Sequence, residues 1–284
     1  MPILDDLKLQ YKTGGIVQKL IFWNVGVFIL SLVFFYQFKT GRFVYPNWLA
    51  LSSSFEVFVS KPWTVVTYMF LHAGFLHLLF NMMVLHFSGR LFTTFFTERQ
   101  LFGLYILGGI FSGIVFFLIY SLLGVSSILV GASGAIMGIL VATAVYSPHM
   151  IVRLALIGNV KLWHIAAVLL IMDLLQLPIE NSGGHIAHLA GAFFGFLYIK
   201  LLQSGTDLSK PVSKLQDSLA GIGKPKNKTP FKKVHKNETS QTRQKGFTKD
   251  MNQKKIDDIL DKISQSGYDS LTKEEKEFLF KAGK

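Results

Sequence analysis

The chain has 284 residues, half of them hydrophobic and only 16% charged, with 26 Phe, which excludes an ordinary soluble domain and disorder as descriptions of the whole chain. It has no Cys, so disulfides, thiolate zinc sites and a cysteine nucleophile are excluded as well. The formal charge of +12 is uneven, with 18 basic against 11 acidic residues in 203–284 (+7) and 11 against 6 in the remainder (+5), so the composition describes a multi-spanning membrane protein with a basic tail.

Residues 1–19 contain Asp5 and Asp6 and are not Arg-rich, unlike an organellar transit peptide; they form a cytoplasmic N-terminal segment. The uncharged run 20–38, between Lys19 and Lys39, is long enough to cross a hydrocarbon core of about 30 Å at about 1.5 Å per residue and is the first expected span. The stretch 40–62, with Trp48, Phe55 and Phe58 among Ser52, Ser53, Ser54 and Lys61, is too broken to span and too aromatic for a solvated loop, so it is placed in the interface. The second span is expected at 76–92, with 63–71 approaching it. His77 and Asn81 stand there at i, i+4 on one helix face, and polar groups on one face of a membrane helix point into the bundle or toward water.

No Asp, Glu, Lys or Arg occurs from Gln100 to Val152, and Gly124–Ser127 divides this region into a third span, 101–122, and a fourth, 130–146. Gly109 and Gly113 read as a small-residue packing pair. The fourth span opens on Gly131-Ala132-Ser133-Gly134-Ala135, which reads either as a nucleophilic serine or as small residues that let helices pack, the commoner use of such a run. A fifth span, 162–179, carries Asp173, an acid weighed as a bundle staple against a functional group, with the staple favoured. Asn181-Ser182-Gly183-Gly184 reads as a turn before a sixth span, 185–199, which begins His185-Ile186-Ala187-His188.

The basic residues flanking the spans put both termini in the cytoplasm, so spans two, four and six all begin at the outer face. His77, Asn81, Ser133 and His188 then share one depth, within about 10 Å of that face. A serine becomes nucleophilic when an imidazole can take its proton and fixed donors meet the oxyanion, so Ser133 and His188 supply the first two roles. The Ser133 amide, His77 and Asn81 supply donors. Gly134 and Gly138 on one span, and Ala187, Gly191 and Gly195 on the other, recur every fourth residue and allow the close approach this needs.

Three segments together carry a specific likeness: His77-Leu-Leu-Phe-Asn81, Gly131-Ala-Ser133-Gly134 and Ala187-His188-Leu-Ala-Gly191, in that order. Over about residues 15–202 the chain resembles the rhomboid family of intramembrane serine proteases. The resemblance implies an all-α membrane protein, a six-helix bundle over 20–202, cutting membrane-anchored protein substrates within or next to their transmembrane segment. It implies a Ser133–His188 dyad with no triad acid, oxyanion support from His77 and Asn81, no cofactor and no metal. It also implies a site open to the outer face through a water-filled depression, with 40–62 in the membrane plane. Residence in the inner (plasma) membrane of a bacterium is expected, with lipid and membrane-protein substrates as partners. Trp63-Thr64 stands where the family often has Trp-Arg. An inactive relative that binds clients is the alternative within the fold. A transporter is the rival from another class, and would spread polar residues through the bilayer.

The tail reads as a basic flexible linker, 203–251, followed by a small helical hairpin, 252–284. Ile256, Ile259, Leu260 and Ile263 recur at helical spacing, Gly267 marks a stop, and Thr272 with Glu275 reads as a capping box for a second helix carrying Phe278 and Leu279. Anionic lipid headgroups suit the basic linker; no nucleic-acid partner is expected.

Overall fold

In segments this apolar the backbone must satisfy its own N–H and C=O groups, and helices are the local way to do so. The computed structural model describes residues 3–155, 157–179, 181–221 and 242–282. Helices α1 (Ile3–Thr13) and α2 (Ile16–Phe34) are separated by Gly14-Gly15. A two-residue-per-strand hairpin, β1 (Tyr36–Gln37) with β2 (Arg42–Phe43), turns through Gly41 at φ 67°. Strand β3 (Leu51–Ser52) and the short helices α3 (Phe55–Ser60) and α4 (Thr64–Thr67) lead into α5 (Phe75–Thr93) and α6 (Glu98–Leu122). Strand β4 (Ile128–Leu129) pairs antiparallel with β3 and delivers the chain to α7 (Ser133–Tyr146). A hairpin of β5 (Ile151–Leu154) and β6 (Gly158–Lys161) follows, then α8 (Leu162–Gln176), α9 (Ser182–Gln203) and α10 (Lys210–Gly221).

Four of these helices, α2, α5, α6 and α9, are long and apolar enough to cross a membrane; α7 and α8 are apolar but shorter. Helix α7 is innermost, with every residue from Gly134 to Ala144 buried among α5, α6, α8 and α9. Its 14 residues span about 21 Å at about 1.5 Å each, well short of a hydrocarbon core of about 30 Å. The contact between α7 and α9 is backbone on backbone: a Cβ built on Gly191 would overlap the Gly134 carbonyl, and one on Gly195 would overlap the Gly138 carbonyl. The small-residue faces therefore do what their spacing suggests. Gly109 and Gly113 of α6 instead admit the side chains of Met69 and Tyr68, the stretch between α4 and α5, and the Tyr68 hydroxyl donates to the Gly109 carbonyl at 2.7 Å.

Several expectations shift. The first expected span, α2, ends at Phe34, not at residue 38, because 36–43 turn back as a hairpin. The stretch Ser182-Gly183-Gly184, expected as a turn, is the first turn of α9, where Gly183 fits against the Phe116 ring. The architecture is mostly helical but not purely so, since among the described residues three two-stranded ladders join its connections. The start of the expected flexible linker is also built into the fold. Asp207 accepts hydrogen bonds from the Ser209 hydroxyl (2.6 Å) and amide (2.8 Å), from Gln100 Nε2 (3.1 Å) and from the Tyr198 hydroxyl (3.3 Å), and Arg99 grips Asp217 of α10 with two bonds of 3.0 and 3.1 Å. These contacts arise because the start of α6 and the end of α9 present donors to the segment that leaves α9. The middle of that linker, 222–241, lies outside the described residues.

The tail forms a separate unit. Helix α11 (Thr242–Ser266) begins earlier than expected and meets α12 (Lys273–Ala282) around buried Ile259 and Leu271. Glu275 accepts from the Thr272 amide at 2.8 Å while its own amide donates to the Thr272 hydroxyl at 3.3 Å, the reciprocal bonds of a capping box. Lys262 adds two bonds of 3.0 Å to Glu275.

Candidate functional site

Four helices meet at one cavity. Helix α5 contributes His77 and Asn81, α7 contributes Ser133, α8 contributes Asp173 and α9 contributes His185 and His188; all six line a cavity of about 290 Å³ walled by Phe80, Met137 and Met172. All four residues singled out from sequence are thus brought together, with two more beside them.

Each is set by its own local geometry. Ser133 is the first residue of α7, so its amide lies in the opening turn, where N–H groups have no intrahelical acceptor and the helix dipole favours negative charge. The preceding Gly131 has φ 131°, a conformation other residues resist, and its amide donates to the Tyr68 carbonyl at 3.0 Å. A Cβ built on Gly131 would sit 3.0 Å from His77 Nε2 and 3.6 Å from Ser133 Oγ, so the missing side chain is what lets imidazole and hydroxyl approach the same point. The Ala73 amide donates to His77 Nδ1 at 3.3 Å, which leaves the ring proton on Nε2, the nitrogen turned toward Gly131. Asn81 is buried and anchors its amide nitrogen on the His77 carbonyl at 2.8 Å. His72, fully buried, packs edge-on against His77 with ring centroids 5.2 Å apart.

His185 and His188, at i, i+3 on α9, both turn Nδ1 to one carboxylate oxygen of Asp173, at 2.7 and 2.8 Å. The His188 side chain is 23% exposed and the His185 side chain 10%, so His188 is the more open of the two. His77 lies within electrostatic range of His188. No hydrogen bond joins Ser133 Oγ to His188 among the described residues. From sequence, Asp173 is favoured as a staple over a functional group, and His185 stands only as the alternative base to His188. The signal was present: the connection between α8 and α9 is short, so an acid three residues before the end of one helix stands level with a histidine three residues into the next.

Asp173, His185 and His188 are also the group of side chains that could hold a metal ion among the described residues, with ligand atoms all within 4.8 Å of one another. Distances decide against that use of this arrangement. Zinc bonds of about 2.0–2.1 Å put tetrahedral ligands about 3.3 Å apart. Both imidazoles are closer than that to the shared oxygen, at charge-assisted hydrogen-bond range.

Residues 59–204 match the Rhomboid domain, a span that includes α5 to α9 and every residue of the cavity described above. Residues 246–281, the tail hairpin, match a family of unknown function (DUF6576). No curated protein shows a significant match to the chain. The Rhomboid match covers just over half of the sequence, and the chain is an integral membrane protein that belongs to the rhomboid family.

Proposed function

We propose that this protein is an intramembrane serine endopeptidase that cleaves membrane-anchored proteins within or next to their transmembrane segment. The observation that carries the reading is the meeting of Ser133, at the opening of a short buried helix, with His188, His77 and Asn81 around one cavity.

Ser133 Oγ attacks the scissile carbonyl, and His188 Nε2 takes its proton and later returns it to the leaving amine. The oxyanion is met by the Ser133 amide, by His77 Nε2–H and by the Asn81 side chain, donors fixed on the helices before the reaction begins. The hydroxyl and imidazole need only close to hydrogen-bond distance once substrate is seated, as apo catalytic pairs commonly do. In this reading α7 and α8 complete a six-span bundle with α2, α5, α6 and α9, and both termini face the cytoplasm of a bacterial cell. The shortness of α7 matters for chemistry. A helix about 9 Å shorter than the hydrocarbon core leaves room above Ser133 for water, the second reactant of hydrolysis. A substrate helix unwinds into that depression from the membrane plane.

The test is labelling of the detergent-solubilised protein with a serine-directed fluorophosphonate, alongside cleavage of a membrane-anchored substrate. Wild type labels and cleaves; Ser133→Ala, which removes one oxygen from a helix already rich in Ala, does neither while remaining folded. Cleavage by folded Ser133→Ala defeats the reading. Wild-type protein that neither labels nor cleaves favours an inactive client-binding relative.

A further inference from the structure

We infer that Asp173 is a positioning residue for the His188 base, and that His185 holds the Asp173 carboxylate in place; this rests on the proposed Ser133–His188 chemistry and deepens it. The argument begins with proton counting. An ionised carboxylate only accepts hydrogen bonds, so an oxygen met by two imidazole nitrogens at 2.7 and 2.8 Å requires both Nδ1 atoms to carry hydrogen. A neutral imidazole with its proton on Nδ1 has its lone pair on Nε2. His188 is therefore held in the one tautomer that can accept the proton of Ser133 Oγ, and the ring is prevented from turning about its own axis. When that proton arrives, the imidazolium lies against a carboxylate that is 9% exposed, where the charge is little screened. The proton on Nδ1 stays there, and Asp173 is not protonated in the cycle.

His185 explains why the carboxylate does not rotate away. It fixes the same oxygen from one turn before His188 on the same helix, and it is more deeply buried than His188. Two donors on one oxygen define the direction of the carboxylate better than one. The groups facing His188 are then Asp173 from α8, His185 from its own helix, Ser133 from α7 and His77 from α5. Of these, Asp173 alone is an acid. A staple between α8 and α9 needs a single hydrogen bond to either histidine; convergence of both on one oxygen is what a staple leaves unexplained.

The experiment measures turnover of a fluorogenic membrane-anchored substrate by the full-length protein in proteoliposomes, with thermal unfolding of the same samples. Asp173→Asn removes the charge and lets the side chain donate to Nδ1, so kcat is expected to fall at least about 10²-fold with KM within about twofold. Asp173→Glu keeps a carboxylate within reach and recovers at least about a tenth of the wild-type kcat, whereas His185→Asn leaves the Asp173–His188 bond and costs about tenfold or less. A kcat for folded Asp173→Asn within about threefold of wild type, or a loss that disappears on cooling below its unfolding range, overturns the inference. Nitrogen-15 NMR of histidine-labelled wild-type protein gives an answer that does not depend on any variant folding. His188 protonated on Nδ1 supports the inference, and protonation on Nε2 alone overturns it. Ser133→Ala run in parallel separates the two claims, since Ser133-dependent turnover with a silent Asp173→Asn defeats only this inference, and Ser133-independent turnover defeats the protease reading itself.

Discussion

Replacing Gly191 by Ala adds one carbon at the tightest point between α7 and α9. That carbon would overlap the Gly134 carbonyl oxygen and stand 2.7 Å from its carbon and 2.9 Å from Ser112 Oγ, where ordinary contact begins at 3.4 Å. Two of those atoms are backbone inside a helix and cannot rotate aside, so α9 must retreat by more than about 1 Å to clear the carbonyl oxygen, an overpacking strain of about 1–3 kcal/mol. The retreat acts next to His188, which lies one turn before Gly191, while Ser133 lies beside Gly134. Displacement of a catalytic pair by about 1 Å can cost about 10²-fold in rate, so Gly191→Ala is expected to lower kcat by about ten- to a hundredfold and to lower the unfolding midpoint together with it. Gly26→Ala in α2 is the control, because nothing lies within 4 Å of the added carbon. It should leave turnover unchanged and stabilise its helix by up to about 1 kcal/mol. The assay is cleavage in proteoliposomes with thermal unfolding followed on the same preparations. Gly191→Ala with wild-type kcat and midpoint would refute the argument that backbone contact sets the Ser133–His188 geometry.

Asn81→Ala removes one oxyanion donor and leaves the Ser133 amide and His77, so a loss of about 10² to 10³ in kcat is the upper range expected, milder than Ser133→Ala; kinetics on folded protein decide. Truncation after Gly221 should leave intrinsic cleavage and stability intact, whereas truncation after Gln203 removes the Asp207 cluster that ties α6 to α9 and should lower the unfolding midpoint. Burial works to raise the Asp207 carboxyl, but hydrogen bonds from Ser209, Gln100 and Tyr198 outweigh it and hold the group below its ordinary 3.8. Its contribution is therefore whole above that value and is lost as pH falls through the depressed one, so the midpoint gap between wild type and Asp207→Asn should close on acidification. In the tail unit, Thr272→Ala breaks the capping box at the start of α12 and should cost that helix about 1 kcal/mol, read as faster amide exchange at residues 273–275.

The long helices were legible because hydrophobic runs bounded by charge or Gly admit few other structures, and the glycine spacing on α7 and α9 foretold their contact. The short ladders were not, since two-residue strands such as Leu51–Ser52 and Ile128–Leu129 are joined by long-range pairing that leaves no local periodicity. The linker reading failed at 204–221 for a related reason. Its composition is polar, but Asp207 and Asp217 find partners on α6 and α9 that composition cannot reveal. Of the candidate site, Ser133, His77, Asn81 and His188 follow from depth and motif together. The carboxylate behind His188 escaped because a lone acid in a membrane helix has a structural explanation ready to hand, and only distances show both imidazoles on one oxygen.

The glycine contact between α7 and α9 also sets the order of events while the protein is being made. Ser133 leaves the ribosome well before His188, and until α9 arrives the backbone at Gly134 and Gly138 lacks the Gly191 and Gly195 backbone that packs on it. A half-synthesised copy therefore carries Ser133 and His77 without His188. On the proposed chemistry, the same docking that fills the groove along α7 brings the base to the hydroxyl, so competence comes only with α9, and incomplete chains in the membrane remain inert toward the proteins around them.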